Sequence, residues 1–139
     1  MKSEPIRPML LLAATALGLL IAGSVSAQAV FPNRPVTMVV GFAPGGGTDT
    51  VARILAKTVS EQIGQQVVVD NKAGAGGNIA ADFVARSAPD GYTLLLANVG
   101  SLTVAPHLVA SLPYDPLRDF VPITMAVVFA NVIVVHSSI

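Results

Sequence analysis

Cysteine and tryptophan are absent from this chain of 139 residues, and charged residues make up only 12% of it. Without cysteine there is no disulfide framework, thiolate metal site or cysteine nucleophile. Eight basic residues balance eight acidic ones, so no basic surface for nucleic acid is expected. The two histidines, His107 and His136, leave little for a metal site or a serine–histidine hydrolase. We therefore expect no metal and no nucleic-acid partner, and the length predicts at most one domain.

Residues 1–27 have the pattern of an export signal. Lys2 and Arg7 give a positive start, an apolar run covers residues 9–22, and small residues at Val25 and Ala27 precede a cleavage position. A membrane anchor is the alternative, but the run is shorter than the roughly 20 apolar residues that span a bilayer. We expect export of the chain and cleavage near Ala27, with Ala27-Gln28-Ala29 as an alternative cleavage site.

The sequence after the signal alternates between strand and helix patterns. Short apolar runs at 36–42, 67–69 and 93–97 predict buried strands. Helical spacing of apolar residues follows the first two strands, and a short helix is predicted at 103–112. The side chains predicted to face inward are Val51, Ile54, Leu55, Val59 and Ile63 in the first helix, and Ile79, Phe83 and Val84 in the second. This alternation predicts an α/β fold, a parallel sheet with helices on both faces.

Polar residues and glycine mark the ends of the first two predicted helices. Thr48 is predicted as the N-cap of the first helix and Gly64 as its C-cap. Asn78 is predicted as the N-cap of the second helix. Asp82 and Arg86, four residues apart in that helix, are predicted to form an ion pair.

Two glycine-rich loops follow the first two predicted strands, Pro44–Asp49 (PGGGTD) and Gly74–Asn78 (GAGGN). Glycine lets the backbone approach a ligand closely, and a helix N-terminus presents free N–H groups with a partial positive charge. Ligands of parallel sheets bind at the carboxyl ends of the strands. The two loops are therefore predicted to converge on one small anion, a carboxylate or a phosphate. Ordinary turn formation is the alternative role of each loop.

Other residues near this edge are weaker candidates. Asn98 and Ser101 follow the third predicted strand and can donate hydrogen bonds to an anion. Asp49 is a candidate ligand contact, but a carboxylate in the first turn of a helix is more often a helix-capping group. His107 and His136 are interpreted as ordinary surface or packed histidines.

Nucleotide binding is a competing interpretation of the same loops. Gly41–Thr48 has the length of a phosphate-binding loop, but Gly47 occupies the position of the required lysine. Asp70 is placed like the ribose-binding acid of a dinucleotide fold, but the G-x-G-x-x-G pattern is absent from the first loop. A nucleotide-binding α/β enzyme domain is thus an alternative for which we find no catalytic group.

Five blocks of sequence together point to one family. The chain resembles the periplasmic substrate-binding proteins of tripartite tricarboxylate transporters, also called the Bordetella uptake gene family, from about Phe31 to Ile139. The order and spacing of the blocks are more specific than any single glycine loop. The blocks are FPNRP (31–35), VVGFAPGGGTD (39–49), VVDNKAGAGG (68–77), DGYTL (90–94) and LPYDPLRDF (112–120).

The resemblance implies two α/β lobes that close over a small organic acid in the periplasm, with no enzymatic activity and no cofactor. The implied ligand is a di- or tricarboxylate, an amino acid or an aromatic acid, and the implied partners are integral membrane transporter subunits. Backbone N–H groups and ordered water hold the ligand carboxylate in such proteins. The positions implied here are Phe42, Ala43, Pro44, Gly45, Gly46, Ala75, Gly76, Gly77, Gly100 and Ser101, beside the candidate Asp49.

The chain departs from the family pattern in sequence and in length. Leu102 stands where a histidine is usual, and residues 72–74 read Lys-Ala-Gly instead of Arg-Pro-Gly, so the resemblance does not fix the ligand. Family members are more than twice as long. We expect residues 28–126 to form an incomplete first lobe and residues 127–139 to begin the crossing to a second lobe. Such a half is expected to bind a carboxylate poorly, and a non-functional remnant of a truncated gene is a further alternative.

Overall fold

The computed structural model describes residues 30–129 and 134–138. The chain divides into two compact units, residues 1–33 and residues 34–139, and every element below belongs to the second unit. The predicted export signal lies outside the described residues. So does most of the apolar stretch 131–135 in the predicted crossing to a second lobe.

Three strands alternate with helices along the second unit. The strands are β1 (Val36–Val40), β2 (Val67–Asn71) and β3 (Thr93–Leu96). The helices are α1 (Gly47–Ile63), α2 (Asn78–Ala85) and α3 (Ala105–Leu108). A 3-10 turn (Ala75–Gly77) precedes α2, and a π-helical turn (Gly100–Val104) precedes α3. The final helical stretch therefore begins before the predicted residue 103 and ends before the predicted residue 112.

The three strands form a parallel sheet in the order β2-β1-β3. Val40 at the end of β1 lies opposite Asn71 of β2 and Leu96 of β3. Crossover connections between parallel strands are right-handed. The connection from β1 to β2 and the connection from β2 to β3 run in opposite directions across the sheet, so α1 and α2 lie on opposite faces of it. The predicted α/β fold, with a parallel sheet and helices on both faces, is confirmed.

Alternate side chains of β1 pack against different helices, because successive strand residues point to opposite faces. Val36, Met38 and Val40 form a buried cluster with Ala52 and Ala56 of α1. Each of these side chains is less than a tenth exposed. This cluster is the core between the sheet and α1.

The other face of the sheet packs against α2. Val39 is fully buried, as are Ala80 and Ala81 of α2. Gly41 continues this face beyond the end of β1, and a Cβ placed on it would lie 3.4 Å from the Cβ of Ala80. The carboxyl end of β1 is therefore enclosed by α2 as well as by α1.

The predicted inward faces of the helices were partly wrong. Leu55 and Val59 pack against the core cluster as expected. Ile54 is 61% exposed and Ile79 is 51% exposed, and Ile63 and Phe83 are also exposed. The sheet-facing positions belong to small residues, Ala52 and Ala56 in α1 and Ala80 and Ala81 in α2. Alanine has a small side chain and lets a helix approach a sheet closely. The prediction was based on large apolar residues, so it selected positions beside the alanines that face the sheet.

The predicted N-caps were wrong, whereas the predicted C-cap is confirmed. Gly46 is the N-cap of α1 rather than Thr48, and Gly77 is the N-cap of α2 rather than Asn78. Gly77 has φ +99°, a conformation that glycine adopts at little cost and asparagine only with strain. The Asn78 side chain pairs instead with a tyrosine described below. Gly64 ends α1 with φ +69°, as its sequence position predicts.

Residues 121–129 form neither helix nor strand, although their sequence is strongly apolar. Val121 is 90% exposed, and Ile123 and Met125 are nearly as exposed. In the described part of the chain, no helix is both long and apolar enough to cross a bilayer.

Candidate functional site: the carboxyl edge of the sheet

The chain between β1 and the first glycine loop touches the second glycine loop at the carboxyl edge of the sheet. A Cβ placed on Gly41 would lie only 2.6 Å from the Cα of Gly77. A side chain at residue 41 would therefore collide with the backbone of the second loop. The glycine between β1 and the first loop is needed for this close approach of two backbones. Both glycine loops follow the carboxyl ends of neighbouring strands and therefore lie at the same edge of the sheet.

The loop after β3 packs against the second glycine loop. The side-chain nitrogen of Asn98 lies 3.4 Å from the carbonyl oxygen of Gly76, and it would lie 2.5 Å from a Cβ placed on Gly77. The N–H of Ser101 donates to the side-chain oxygen of Asn98 at 3.1 Å. Asn98 thus links the second and third loops, and Ser101 is buried beneath them with 1% of its surface exposed.

Tyr114 links the third loop to the start of α2 through its hydroxyl group. Its hydroxyl oxygen lies 2.7 Å from the carbonyl oxygen of Ser101 and 2.9 Å from the side-chain oxygen of Asn78. A hydroxyl has one hydrogen, so it donates to one of these oxygens at a time. Burial of the ring, together with the negative charge of Asp82, raises the pKa of Tyr114. The neutral, donating form of the hydroxyl is therefore the stable one.

Asp49 organises the first loop from inside the protein. One carboxylate oxygen accepts hydrogen bonds from the N–H of Gly45 at 2.9 Å and from Nε of Arg53 at 2.8 Å. The other accepts from the side-chain amide of Asn71 at 2.9 Å. The bond from Arg53, followed by those from Gly45 and Asn71, holds the pKa of Asp49 far below its usual range. Asp49 is only 2% exposed, so these contacts support the capping role rather than direct ligand contact.

Asn71 and Arg53 complete this arrangement and were not recognised in the sequence. Asn71 is the last residue of β2, and its amide also donates to the carbonyl oxygen of Phe42 at 3.0 Å. The terminal nitrogen of Arg53 donates to the side-chain oxygen of Asn71 at 3.3 Å. The spacing of Asp49 and Arg53 in the helix was a usable signal for their ion pair. The contact of Asn71 depends on strand pairing and had no local signal.

Three glycines close to the starts of α1 and α2 border open space. A Cβ placed on Gly45, Gly47 or Gly76 would meet no atom within 4 Å. Gly45 and Gly76 have positive φ values of +84° and +67°. The first N–H groups of a helix have no partner within the helix, so an exposed helix start can donate them to an external acceptor. This edge can therefore bind an anion through its backbone.

The predicted site residues divide into an exposed set and a buried set. The exposed residues are Phe42, Ala43, Pro44, Gly45, Gly46, Ala75, Gly76 and Gly100. The buried residues are Asp49, Gly77 and Ser101. The buried residues hold the loops together, and the exposed ones border the open edge. Among the described residues, no three histidine, cysteine or acidic side chains are grouped as a metal site would require.

A sequence profile described as "Tripartite tricarboxylate transporter family receptor" matches residues 51–139. The chain belongs to this receptor family. Protein BugT of Bordetella pertussis is 52% identical over 106 residues, which cover 76% of this chain and 32% of BugT. The chain spans about a third of the length of the curated relatives that it matches. Membership in this receptor family confirms the resemblance and gives no support to the nucleotide-binding alternative.

Solved structures of receptors in this family have the same local fold. The periplasmic binding protein BugD is 50% identical to this chain, with a TM-score of 0.62 over 65% of this chain and 30% of BugD. MatC from Rhodopseudomonas palustris, solved with bound malate, is 47% identical, with a TM-score of 0.63 over 66% of this chain and 31% of MatC. The sheet and its helices therefore correspond to part of a larger solute-binding fold.

Proposed function

We propose that this chain contributes the ligand-binding edge of an extracytoplasmic solute receptor and holds a small carboxylate-bearing organic acid there. The observation that carries this proposal is the close contact of Gly41, which precedes the first glycine loop, with Gly77 of the second, with neighbouring glycines open to solvent. The malate in the related MatC structure supports a carboxylate as the ligand class. A di- or tricarboxylate fits best, and amino acids and aromatic acids carry the same group.

Backbone donors supply the proposed binding energy. A hydrogen bond to a charged acceptor contributes about 1.5–3 kcal/mol, and the helix N-terminus adds about 0.3–1 kcal/mol. Association costs about 4–15 kcal/mol, so three or four such bonds leave little net affinity. The proposed ligand-facing residues are Phe42, Ala43, Pro44, Gly45, Gly46, Ala75, Gly76 and Gly100, with Asp49, Gly77 and Ser101 supporting them. We therefore expect weak carboxylate binding by this chain and tighter binding where a second lobe excludes water.

Export and transport follow from the same proposal. Residues 1–27 would direct the chain to the periplasm and be cleaved near Ala27, and the receptor would deliver its ligand to integral membrane subunits. It would bind the acid without catalysing a reaction on it. Expression in a Gram-negative host, followed by N-terminal sequencing of the periplasmic product, tests the export step. A product that retains Met1 would contradict it.

Titration with malate, followed by NMR of the backbone amides, tests the binding step because it detects millimolar affinity. We expect malate to shift the amide signals of residues 45–47 and 76, with little change in the middle of α1. Gly47→Glu places a negative charge in open space at the helix start and should abolish these shifts. Thr58→Glu adds the same charge at an exposed position farther along α1 and should leave them intact.

Two outcomes of this titration would contradict the proposal. Malate that shifts none of the loop amides, while the spectrum is that of a folded chain, would remove the binding function from this edge. Shifts produced by adenosine triphosphate at the same amides, in the absence of any effect of malate, would favour the nucleotide alternative. Micromolar malate affinity would contradict only the expectation of weak binding.

A further inference from the structure

We propose that Asn71 is a positioning residue, which fixes the first glycine loop from the end of the neighbouring strand in the conformation that presents its backbone N–H groups. This inference rests on the proposed carboxylate-binding function. Asn71 acts through Phe42, which precedes the loop, and through Asp49, which ends it.

The amide of Asn71 joins the chain just before the first loop to the residue that ends this loop. Its nitrogen carries two hydrogens, and two acceptors lie within reach, the carbonyl oxygen of Phe42 at 3.0 Å and a carboxylate oxygen of Asp49 at 2.9 Å. Phe42 follows β1, and Asp49 lies in the first turn of α1. One side chain on β2 therefore holds both the entry and the exit of the loop.

The middle of the loop is held through the other oxygen of Asp49. That oxygen accepts the N–H of Gly45 at 2.9 Å, so the position of Gly45 depends on the orientation of the carboxylate. Asn71 and Arg53 fix this orientation from two directions. Glycine loses more conformational freedom on ordering than any other residue, so a loop with three consecutive glycines needs such external support.

An asparagine satisfies all partners at this position, and an aspartate does not. The Asn71 amide donates to Phe42 and Asp49 and accepts from the terminal nitrogen of Arg53 at 3.3 Å. An ionised aspartate has no hydrogen to donate, and it would place a second carboxylate beside Asp49. Two carboxylates in such contact cannot both ionise readily, so one of them takes up a proton at a raised pKa.

The test compares Asn71→Asp with Gln66→Glu. Both variants replace an amide by a carboxylate of the same shape on or beside β2, but Gln66 is exposed and lies before the strand, at the end away from the loop. The measurements are hydrogen exchange at the Gly45 amide and malate affinity from NMR titration. We expect Asn71→Asp to speed the exchange of Gly45 about tenfold and to weaken malate binding about tenfold, and Gln66→Glu to change neither.

The pH dependence separates positioning from a general loss of structure. In Asn71→Asp, a proton shared by the two carboxylates restores a donor between them. The affinity of the variant relative to the wild type, compared at equal pH, should therefore recover towards acidic pH. Asn71→Ala adds no charge, so it should release the Gly45 amide without any such recovery.

Each outcome is decisive. The inference is overturned if Asn71→Asp leaves both the hydrogen exchange of the Gly45 amide and the malate affinity at their wild-type values. It is also overturned if Asn71→Ala is folded and its Gly45 amide remains as protected from exchange as in the wild type. If the wild type binds no malate but Asn71→Asp and Asn71→Ala still release Gly45, the proposed function fails while Asn71 still positions the loop.

Discussion

The two glycine loops have similar sequences, but the structure uses their glycines for different purposes. In the first loop, Gly45 and Gly47 border open space, and a buried carboxylate network holds the backbone from inside. In the second loop, Gly77 is itself buried, between Gly41 and the Asn98 side chain. Gly45 and Gly47 in the first loop leave the backbone open to solvent, whereas Gly77 permits close packing. A glycine-rich sequence therefore does not reveal by itself which of its residues can contact a ligand.

The helices that follow these loops repeat the same contrast. Asp49 and Arg53 in α1 form an ion pair at 2.8 Å, and Asp82 and Arg86 in α2 form one at 2.7 Å with the same spacing. The Asp49 side chain is 3% exposed, whereas that of Asp82 is 31% exposed. The first pair is hydrogen-bonded to the loop, and the second joins two residues of its own helix. Burial, not spacing, distinguishes them.

The largest effect is expected from a substitution that disrupts the contact between Gly41 and Gly77. Gly41→Ala places a Cβ 2.6 Å from the backbone of Gly77, and we expect it to lower the free energy of unfolding by about 3 kcal/mol. Gly47→Ala, in open space within the first turn of α1, should instead raise it by about 0.5 kcal/mol. Urea unfolding followed by circular dichroism measures both. Equal effects of the two substitutions would show that Gly41 does not touch the second loop in solution.

The next effect concerns acid stability. The pKa of Asp49 is lowered in the folded chain, so its contribution to stability is fully present above its unfolded-state pKa of about 3.9 and is lost as the pH falls below that value. The free energy of unfolding of Asp49→Asn should therefore fall less steeply than that of the wild type between neutral pH and pH 2. Urea unfolding at several pH values measures this slope. A variant with the wild-type slope would show that Asp49 is not held by its network.

A smaller effect is expected at Tyr114. Tyr114→Phe removes the hydroxyl that lies 2.7 Å from the Ser101 carbonyl oxygen and keeps the ring in place. Loss of one buried hydrogen bond should cost about 1 kcal/mol in the free energy of unfolding, and the amide signals of residues 98–101 should shift. The signals of residues 42–46 should not shift. Perturbation of the first loop instead would contradict the separate support of the two loops.

The smallest effect is expected at the exposed ion pair. Asp82→Asn should lower the free energy of unfolding by about 0.3–0.5 kcal/mol, the usual contribution of an exposed pair four residues apart on a helix. It should leave the amide signals of the first loop unchanged. A loss as large as that of Asp49→Asn at neutral pH would remove the distinction between the two pairs.

Local sequence patterns determined the alternation of strands and helices and the position of the glycine loops. Short apolar runs predicted all three strands, and Gly64 marked the end of α1, because these signals depend on residues close together in the chain. The Asp82–Arg86 pair followed from helical spacing for the same reason. The five sequence blocks were enough to identify the receptor family.

Tertiary structure alone decided which residues the loops depend on. Asn71 reaches Phe42 and Asp49 because β2 pairs with β1, and Tyr114 reaches Ser101 and Asn78 because the chain returns beneath the third loop. The alanine faces of α1 and α2 were likewise hidden, since the closeness of a helix to a sheet is set by both elements together. Hydrogen bonds and close contacts between distant residues have no periodic pattern in the sequence, so only the packed chain specifies them.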